Sequence, residues 1–185
     1  MTRTSLTFEE FLQLPVEKPA LEYFYGTVTR KMSPKGPHSM LRPMLAVLVF
    51  SYGQQTGLVR VMTELRTNWA GATSLVPDLG VYLVERIPTK PNGEVADDFF
   101  EPPDVAIEIM SPGQSMPAMR ERARWFVEHG VRLVVTVQPR GRSVYVLRAD
   151  VETGPLRSDD VVELGDVLPE FSFVVRRLFA AIDIR

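Results

Sequence analysis

The chain has 185 residues, a formal net charge of −2 at pH 7 and 45% hydrophobic residues. That length and hydrophobic content suit one domain with a substantial core, and the charge is unlike that of proteins that coat nucleic acid. The absence of cysteine excludes disulfides and thiolate metal sites. With only two histidines, any metal would be held by oxygen atoms, which favours Mg²⁺ or Mn²⁺.

No membrane span is predicted, because no apolar stretch reaches the roughly 20 residues that a bilayer requires. The opening residues 1–7 lack the apolar segment of a signal peptide, so we expect a cytoplasmic protein. Charge is unevenly distributed along the chain. Residues 119–148 contain seven arginines and two glutamates, a local charge of +5.

The N-terminal part predicts a short helix followed by a hairpin. Thr7 and Glu10 have the spacing of a capping box, which predicts a helix over 7–14. Residues 21–32 are rich in aromatic and β-branched side chains on both sides of Gly26, which is typical of a β-hairpin.

A longer helix is predicted over 38–55, where apolar residues recur at three- and four-residue steps and Gly57 follows as a stop. Pro43 is expected to be tolerable only in the first turn, because proline lacks the N–H that the helix interior requires. Two strands are predicted next, over 58–62 and 64–69.

Two apolar segments each carry one acid. Residues 71–74 are predicted to form a turn before a strand over 75–84 that contains Asp78. Residues 86–101 have no periodicity and predict an exposed loop. A second strand then contains Glu108 within Val105-Ala-Ile-Glu-Ile109.

The C-terminal part predicts a helix over 117–129 that ends at Gly130, and a hairpin over 133–147. Residues 161–162 suggest another strand, and 176–182 a terminal helix. Strands that alternate with helices indicate an α/β or α+β sheet domain, with residues 1–185 forming a single unit.

The two acids in apolar surroundings are the candidate site. A carboxylate is costly to bury unless it is paired, hydrogen-bonded or bound to a metal. Carboxylates on neighbouring strands can share a divalent cation, which lowers the pKa of a bound water and stabilises charge on a phosphate. The alternatives are that Asp78 is an ordinary turn acid after Pro77 and that Glu108 is an edge residue that faces water.

The order and spacing of several motifs resemble the Uma-type family of small restriction endonucleases in the PD-(D/E)XK nuclease superfamily. The likeness extends over nearly the whole chain. The residues that carry it are Thr7–Leu12, Leu21–Gly26, Met32–Pro34 with His38, Leu75–Leu79, Ile107–Pro112, Gly130-Val131 and Leu168–Phe171.

The resemblance implies a restriction-endonuclease-like fold, in which helices flank a mixed central sheet. It implies that Asp78 and Glu108 are catalytic metal ligands for Mg²⁺ or Mn²⁺, and that Glu22 is an accessory acid. Arg122 stands where the family has its lysine, and His38 is a possible accessory residue. DNA is the implied substrate, and a homodimer is expected because two strands require two sites.

The chain departs from the family pattern near its predicted helix over 117–129. Arginine stays protonated, so Arg122 can clamp a phosphate but cannot act as a general base, and no lysine follows Lys90. Residues 115–119 lack the expected acid, and Phe126 replaces a tyrosine. Arg122 and Phe126 share a helix face, so Arg122 is expected to reach the acids if Phe126 packs in the core.

Three functions remain open at this point. The first is a Mg²⁺-dependent DNA endonuclease that uses Asp78, Glu108, Arg122 and Glu22. The second is a degenerate relative that binds nucleic acid or a protein without hydrolysis. The third is an interaction module with no nucleic-acid role, suggested only by the acidic net charge. A Walker NTPase is disfavoured, because no glycine-rich phosphate loop is present.

Overall fold

The computed structural model describes residues 6–69, 73–149 and 151–184. Within these ranges the helices are α1 (Phe8–Leu12), α2 (Gly36–Thr56), α3 (Met116–Glu128) and α4 (Val175–Phe179), with 3₁₀ turns at Val84–Arg86 and Ala180–Ile182. The strands are β1 (Leu21–Phe24), β2 (Thr27–Arg30), β3 (Val59–Thr63), β4 (Thr67–Trp69), β5 (Thr73–Leu75), β6 (Leu79–Leu83), β7 (Val105–Ile109), β8 (Leu133–Gln138), β9 (Ser143–Arg148), β10 (Val151–Leu156), β11 (Val161–Glu163) and β12 (Ser172–Val174). None of the described helices has the length and hydropathy needed to cross a bilayer.

The central sheet has six strands in the order β10-β9-β8-β7-β6-β3. Only β7 and β8 are parallel, and the chain between them passes through α3 as a crossover. The other neighbouring strands are antiparallel. The predicted mixed sheet with flanking helices is therefore confirmed.

The alternation of side chains along β7 directs its acid to one face of this sheet. Val105, Ile107 and Ile109 belong to the core cluster that also contains Leu41, Leu45 and Val49 of α2. Ala106 instead packs in a second cluster with Ala123 and Phe126 of α3. Glu108 is two residues after Ala106, so its side chain points to the same face of the sheet, which is the α3 side.

A second sheet, in the order β2-β1-β5-β4, covers the α3 side of the central sheet. Trp69 of β4 is buried, and its ring centre lies 5.8 Å from that of Phe126 and 5.6 Å from that of Trp125. Trp69 is therefore a packing residue between the second sheet and α3.

The N-terminal predictions are confirmed. The Thr7 hydroxyl accepts a hydrogen bond from the Glu10 amide at 3.1 Å, and the Glu10 carboxylate accepts one from the Thr7 amide at 2.8 Å. In the hairpin, Tyr23 pairs with Val28, and the turn places Gly26 at a φ of +85°. The left-handed φ of +73° at Gly57 ends α2 as predicted.

The prediction for Pro43 is wrong. Helix α2 begins at Gly36, so Pro43 lies beyond its first turn. An interior proline costs about 3 kcal/mol. Burial of Leu41, Leu45 and Val49 against the central sheet offsets this, because each such side chain contributes about 1.5–3 kcal/mol when fully buried.

Three other segments differ from expectation. Thr73–Leu75 forms strand β5 rather than a turn, and residues 71–72 lie outside the described ranges. The loop over 86–101 is not exposed throughout, because Phe99 is buried against the Tyr82 ring with centres 5.0 Å apart. Strand β10 had no counterpart among the predicted elements, because residues 151–156 show no alternation of buried and exposed side chains.

Candidate active site

Strands β6 and β7 bring the two predicted acids together. The pairing of Leu79 with Ile107 places Asp78, one residue before β6, next to Glu108 near the end of β7. The Ile109 amide donates a hydrogen bond to Oδ2 of Asp78 at 2.8 Å. Asp78 and Glu108 are only 3% and 5% exposed. Both acids thus lie beneath the surface on the α3 side.

Two basic side chains contact Asp78. Lys31 Nζ donates to Oδ1 at 2.7 Å, and Nε2 of His38 lies 3.0 Å from Oδ2. Burial alone would raise the pKa of Asp78. The hydrogen bond with His38 and the charge of Lys31 outweigh burial and hold the pKa of Asp78 below its usual range. Asp78 is therefore ionised.

Lys31 lies in the site although it is not among the residues predicted from the sequence. Its Nζ also donates to the Val76 carbonyl at 2.6 Å. Burial would lower the pKa of Lys31, but attraction to Glu108, Asp78 and Glu22 raises it overall. Lys31 is thus a cation among three acids.

One signal in the sequence could have found it. In the β1–β2 hairpin Glu22 pairs with Thr29, so their side chains lie on the same face. Lys31 is two residues after Thr29, and the alternation of side chains along a strand predicts that it lies on that face as well.

Arg122 joins the two other acids. Its Nε donates to Glu108 Oε1 at 2.9 Å, and its Nη2 and Nη1 donate to Glu22 Oε1 and Oε2 at 2.8 and 3.2 Å. The guanidinium carbon lies 4.9 Å from the ring centre of Phe126, which is fully buried. The predicted shared face of Arg122 and Phe126 is confirmed.

Glu22 is further fixed by the Val76 amide, which donates to its Oε1 at 2.8 Å. Val76 lies between β5 and Asp78, so its amide and carbonyl bind Glu22 and Lys31 respectively. Burial would lower the pKa of Arg122, but the neighbouring Glu108 and Glu22 raise it. The structure therefore brings all five predicted site residues together.

Burial dominates at Glu108 and raises the pKa of its carboxyl, although Arg122 and Lys31 oppose this effect. Three carboxylates, those of Glu22, Asp78 and Glu108, meet the two cations Lys31 and Arg122 in this site. Carboxylates that outnumber these cations in a buried site favour an additional cation.

The donor atoms are compatible with a hydrated Mg²⁺. This ion is usually bound through one or two carboxylates and keeps several waters. Among the described residues Glu108 Oε2 has no hydrogen-bond partner, and Asp78 Oδ1 is bound by Lys31 alone. No group of three or more His, Cys, Asp or Glu side chains in the described ranges forms a ready-made metal cage. Asp78 and Glu108 together therefore fit such an ion, with Lys31 beside it.

The basic side chains are the more accessible part of the site. The Lys31 and Arg122 side chains are 15% and 24% exposed, whereas that of Asp78 is 4% exposed. An approaching anion therefore meets these cations before it meets the acids.

Comparison with known proteins agrees with this geometry. The model of the Uma2 family, described as "Putative restriction endonuclease", matches residues 8–178. The chain belongs to the Uma2 family. A solved structure titled a "putative nuclease belonging to DUF820", from Anabaena variabilis ATCC 29413, is 32% identical to this Uma2 protein. The match covers 96% of this chain and 99% of that chain, with a TM-score of 0.89.

No significant match to the Uma2 protein was found among curated proteins. The family match and the solved structure both support a nuclease function and the restriction-endonuclease-like fold. Restriction-endonuclease-like families generally use a divalent metal.

Proposed function

We propose that this Uma2 protein is a DNA endonuclease that hydrolyses phosphodiester bonds with Mg²⁺ or Mn²⁺ held by Asp78 and Glu108. The observation that carries the proposal is the convergence of these two buried acids with Lys31 and Arg122 on one face of the central sheet. The family match and the solved nuclease structure support the same reaction class.

The ion, when bound, would supply an activated water and neutralise charge that develops on the phosphate. The chain's own contribution is orientation and charge. Arg122 holds Glu108 and Glu22 in place and offers a planar donor group to phosphate oxygens. Lys31 is a compact cation fixed by Asp78 and Val76. It therefore supplies a lysine cation beside Asp78, whereas Arg122 stands at the position of the family's lysine.

The direct test is cleavage of supercoiled plasmid by purified protein in Mg²⁺ and in EDTA. Nicked or linear products are expected in Mg²⁺ alone, and Glu108→Gln is expected to remove them. Cleavage that persists in the Glu108→Gln variant would point to a contaminating nuclease. Intact plasmid with wild type in both Mg²⁺ and Mn²⁺ would overturn the proposal.

The Lys31→Met variant tests whether Lys31 contributes to cleavage or only to the stability of the fold. Cleavage is expected to fall about 10²–10³-fold, the usual effect of removing one group that stabilises transition-state charge. Affinity for Mn²⁺ is expected to rise, because the change removes a positive charge that contacts Asp78. Electron paramagnetic resonance of Mn²⁺ measures this affinity.

Lys90→Met is the matched control, because Lys90 forms an exposed ion pair with Asp97. It is expected to leave cleavage and Mn²⁺ affinity unchanged. Full cleavage by Lys31→Met would remove Lys31 from the mechanism.

A binding function without hydrolysis is the second candidate. The observation that favours it is that Arg122 already occupies Oε1 of Glu108 and both oxygens of Glu22. DNA binding that is salt-dependent and indifferent to Mg²⁺, with no cleavage, is the result that would favour it.

A homodimer with DNA between its two sites remains a prediction. Met40, Val47 and Phe50 are exposed along one face of α2 and form the apolar surface that we expect to pair. Light scattering of the purified protein measures its mass, and a monomer at micromolar concentration would contradict this expectation.

A further inference from the structure

A cavity of about 590 Å³ opens beside the acids. It lies between the start of α2, the chain that follows β7 and the β8–β9 turn. His38 forms part of its wall while its Nε2 contacts Asp78 at 3.0 Å. A ligand in the cavity would therefore be separated from Asp78 by one imidazole ring. The volume lies within the range of pockets that bind small organic groups.

The cavity is positively charged. Lys35 and Arg140 line it, and both are exposed. Neither has an ion-pair partner within the described ranges, and no described Asp or Glu lines the cavity. The first turn of α2 also lacks a side-chain cap, so its amides add positive potential. Unpaired cations around a cavity without acids favour an anionic ligand such as a phosphate.

The walls favour a flat, partly apolar group with polar edges. Met110, Pro112 and Met116 supply apolar surface. Gln114 accepts a hydrogen bond from the Ser111 amide at 2.7 Å through its Oε1. Gln138 also uses its Oε1, which accepts from a serine hydroxyl at 3.0 Å. Neither amide nitrogen has a partner among the described residues, so both can donate to a ligand.

We infer that this cavity binds an unpaired nucleobase of the substrate strand, with its phosphate between Lys35 and Arg140. The inference rests on the proposed nuclease function, because it places the base next to the nucleotide whose phosphate meets Asp78 and Glu108. A base inside a duplex cannot enter a pocket without leaving its stack. The preferred substrate is therefore single-stranded or locally unpaired DNA.

The test is fluorescence anisotropy in EDTA, where hydrolysis does not interfere, with a 12-nucleotide single strand, its duplex and an abasic strand of equal length. Wild type is expected to bind the single strand most tightly and the abasic strand at least about 10-fold more weakly, since each stacked base contributes about 1–3 kcal/mol. Equal affinity for the normal and abasic strands would overturn the base assignment. No binding of any strand would overturn the site.

The double variant Lys35→Ala/Arg140→Ala is expected to weaken single-strand binding about 10-fold or more and to reduce the salt slope by about 0.7, the contribution of the one phosphate that the two cations would hold. Lys18→Ala/Arg177→Ala removes the same charge elsewhere and is the control. Identical slopes for the two double variants would overturn the proposal.

The outcomes also separate this site from the proposed hydrolysis. If wild type cleaves plasmid in Mg²⁺ but Lys35→Ala/Arg140→Ala binds the single strand as tightly as wild type, the proposed base-binding role of the cavity is wrong and the proposed nuclease function stands. If that variant loses single-strand binding but wild type does not cleave plasmid, the base-binding role of the cavity stands and the proposed nuclease function is wrong.

Discussion

Arg122→Met is expected to lower the free energy of unfolding by about 3–5 kcal/mol, the usual result of removing one partner from a buried ion pair. Arg122 is the cation that contacts both Glu22 and Glu108. Its loss would leave two carboxylates, 7% and 5% exposed, without that charge. Urea unfolding followed by circular dichroism measures the difference.

Arg120→Met provides the control on the same helix. Arg120 pairs with Glu152 at the surface, where an ion pair contributes at most about 1 kcal/mol. The double variant Glu22→Gln/Arg122→Met is expected to be more stable than Arg122→Met alone, because it no longer has a buried Glu22 carboxylate without its cation. Equal effects of Arg120→Met and Arg122→Met would show that Arg122 is not the internal counter-ion of the acids.

Asp78→Asn is expected to reduce cleavage by about 10³-fold or more, because it removes the charge of the proposed metal ligand and also the ionic partner of Lys31. Removal of a single stabilising donor from an active site already costs about 10²–10³-fold. Single-turnover cleavage of a DNA substrate of defined sequence measures the rate, and thermal unfolding shows whether the variant remains folded.

Asp104→Asn is the matched control for this change. Asp104 is also a buried acid with an arginine partner, Arg86 at 2.7 Å, but it precedes β7 at the end away from Glu108. We expect it to lower stability without a specific loss of cleavage. An equal loss of cleavage in the two variants, after correction for the folded fraction, would mean that Asp78 acts only through the fold.

The sequence singled out each acid because its apolar surroundings are local information, and the resemblance to the family implied that the two acids act together. Each acid adjoins an apolar strand, and adjacent strands bring such residues together when their registers match, as at Leu79 and Ile107. The approach of Arg122 also followed from local spacing, since Arg122 and Phe126 lie one turn apart on α3 and Phe126 is buried.

Lys31 escaped prediction because its contact is non-local. Lys31 and Asp78 are 47 residues apart. They meet because β1 pairs with β5 as well as with β2, which gives the order β2-β1-β5. Strand order depends on tertiary packing, which the pattern of a single hairpin does not contain.

Pro43 and Phe99 show a similar limit for the fold. The helix propensity of proline argued against an interior position in α2, but burial of that helix against the central sheet outweighs it. Phe99 lies in a stretch rich in acids and prolines, yet it packs against Tyr82 through contacts that composition does not reveal. Local propensity thus failed where distant contacts supplied the larger free energy.

The most direct measurement of the proposed centre is titration of Mn²⁺ against wild type, Asp78→Asn and Glu108→Gln, followed by electron paramagnetic resonance. Wild type is expected to bind one ion, and either substitution is expected to abolish that binding while the protein remains folded. Mn²⁺ that stays free in the presence of wild type, or that binds all three proteins equally, would contradict a metal centre at Asp78 and Glu108.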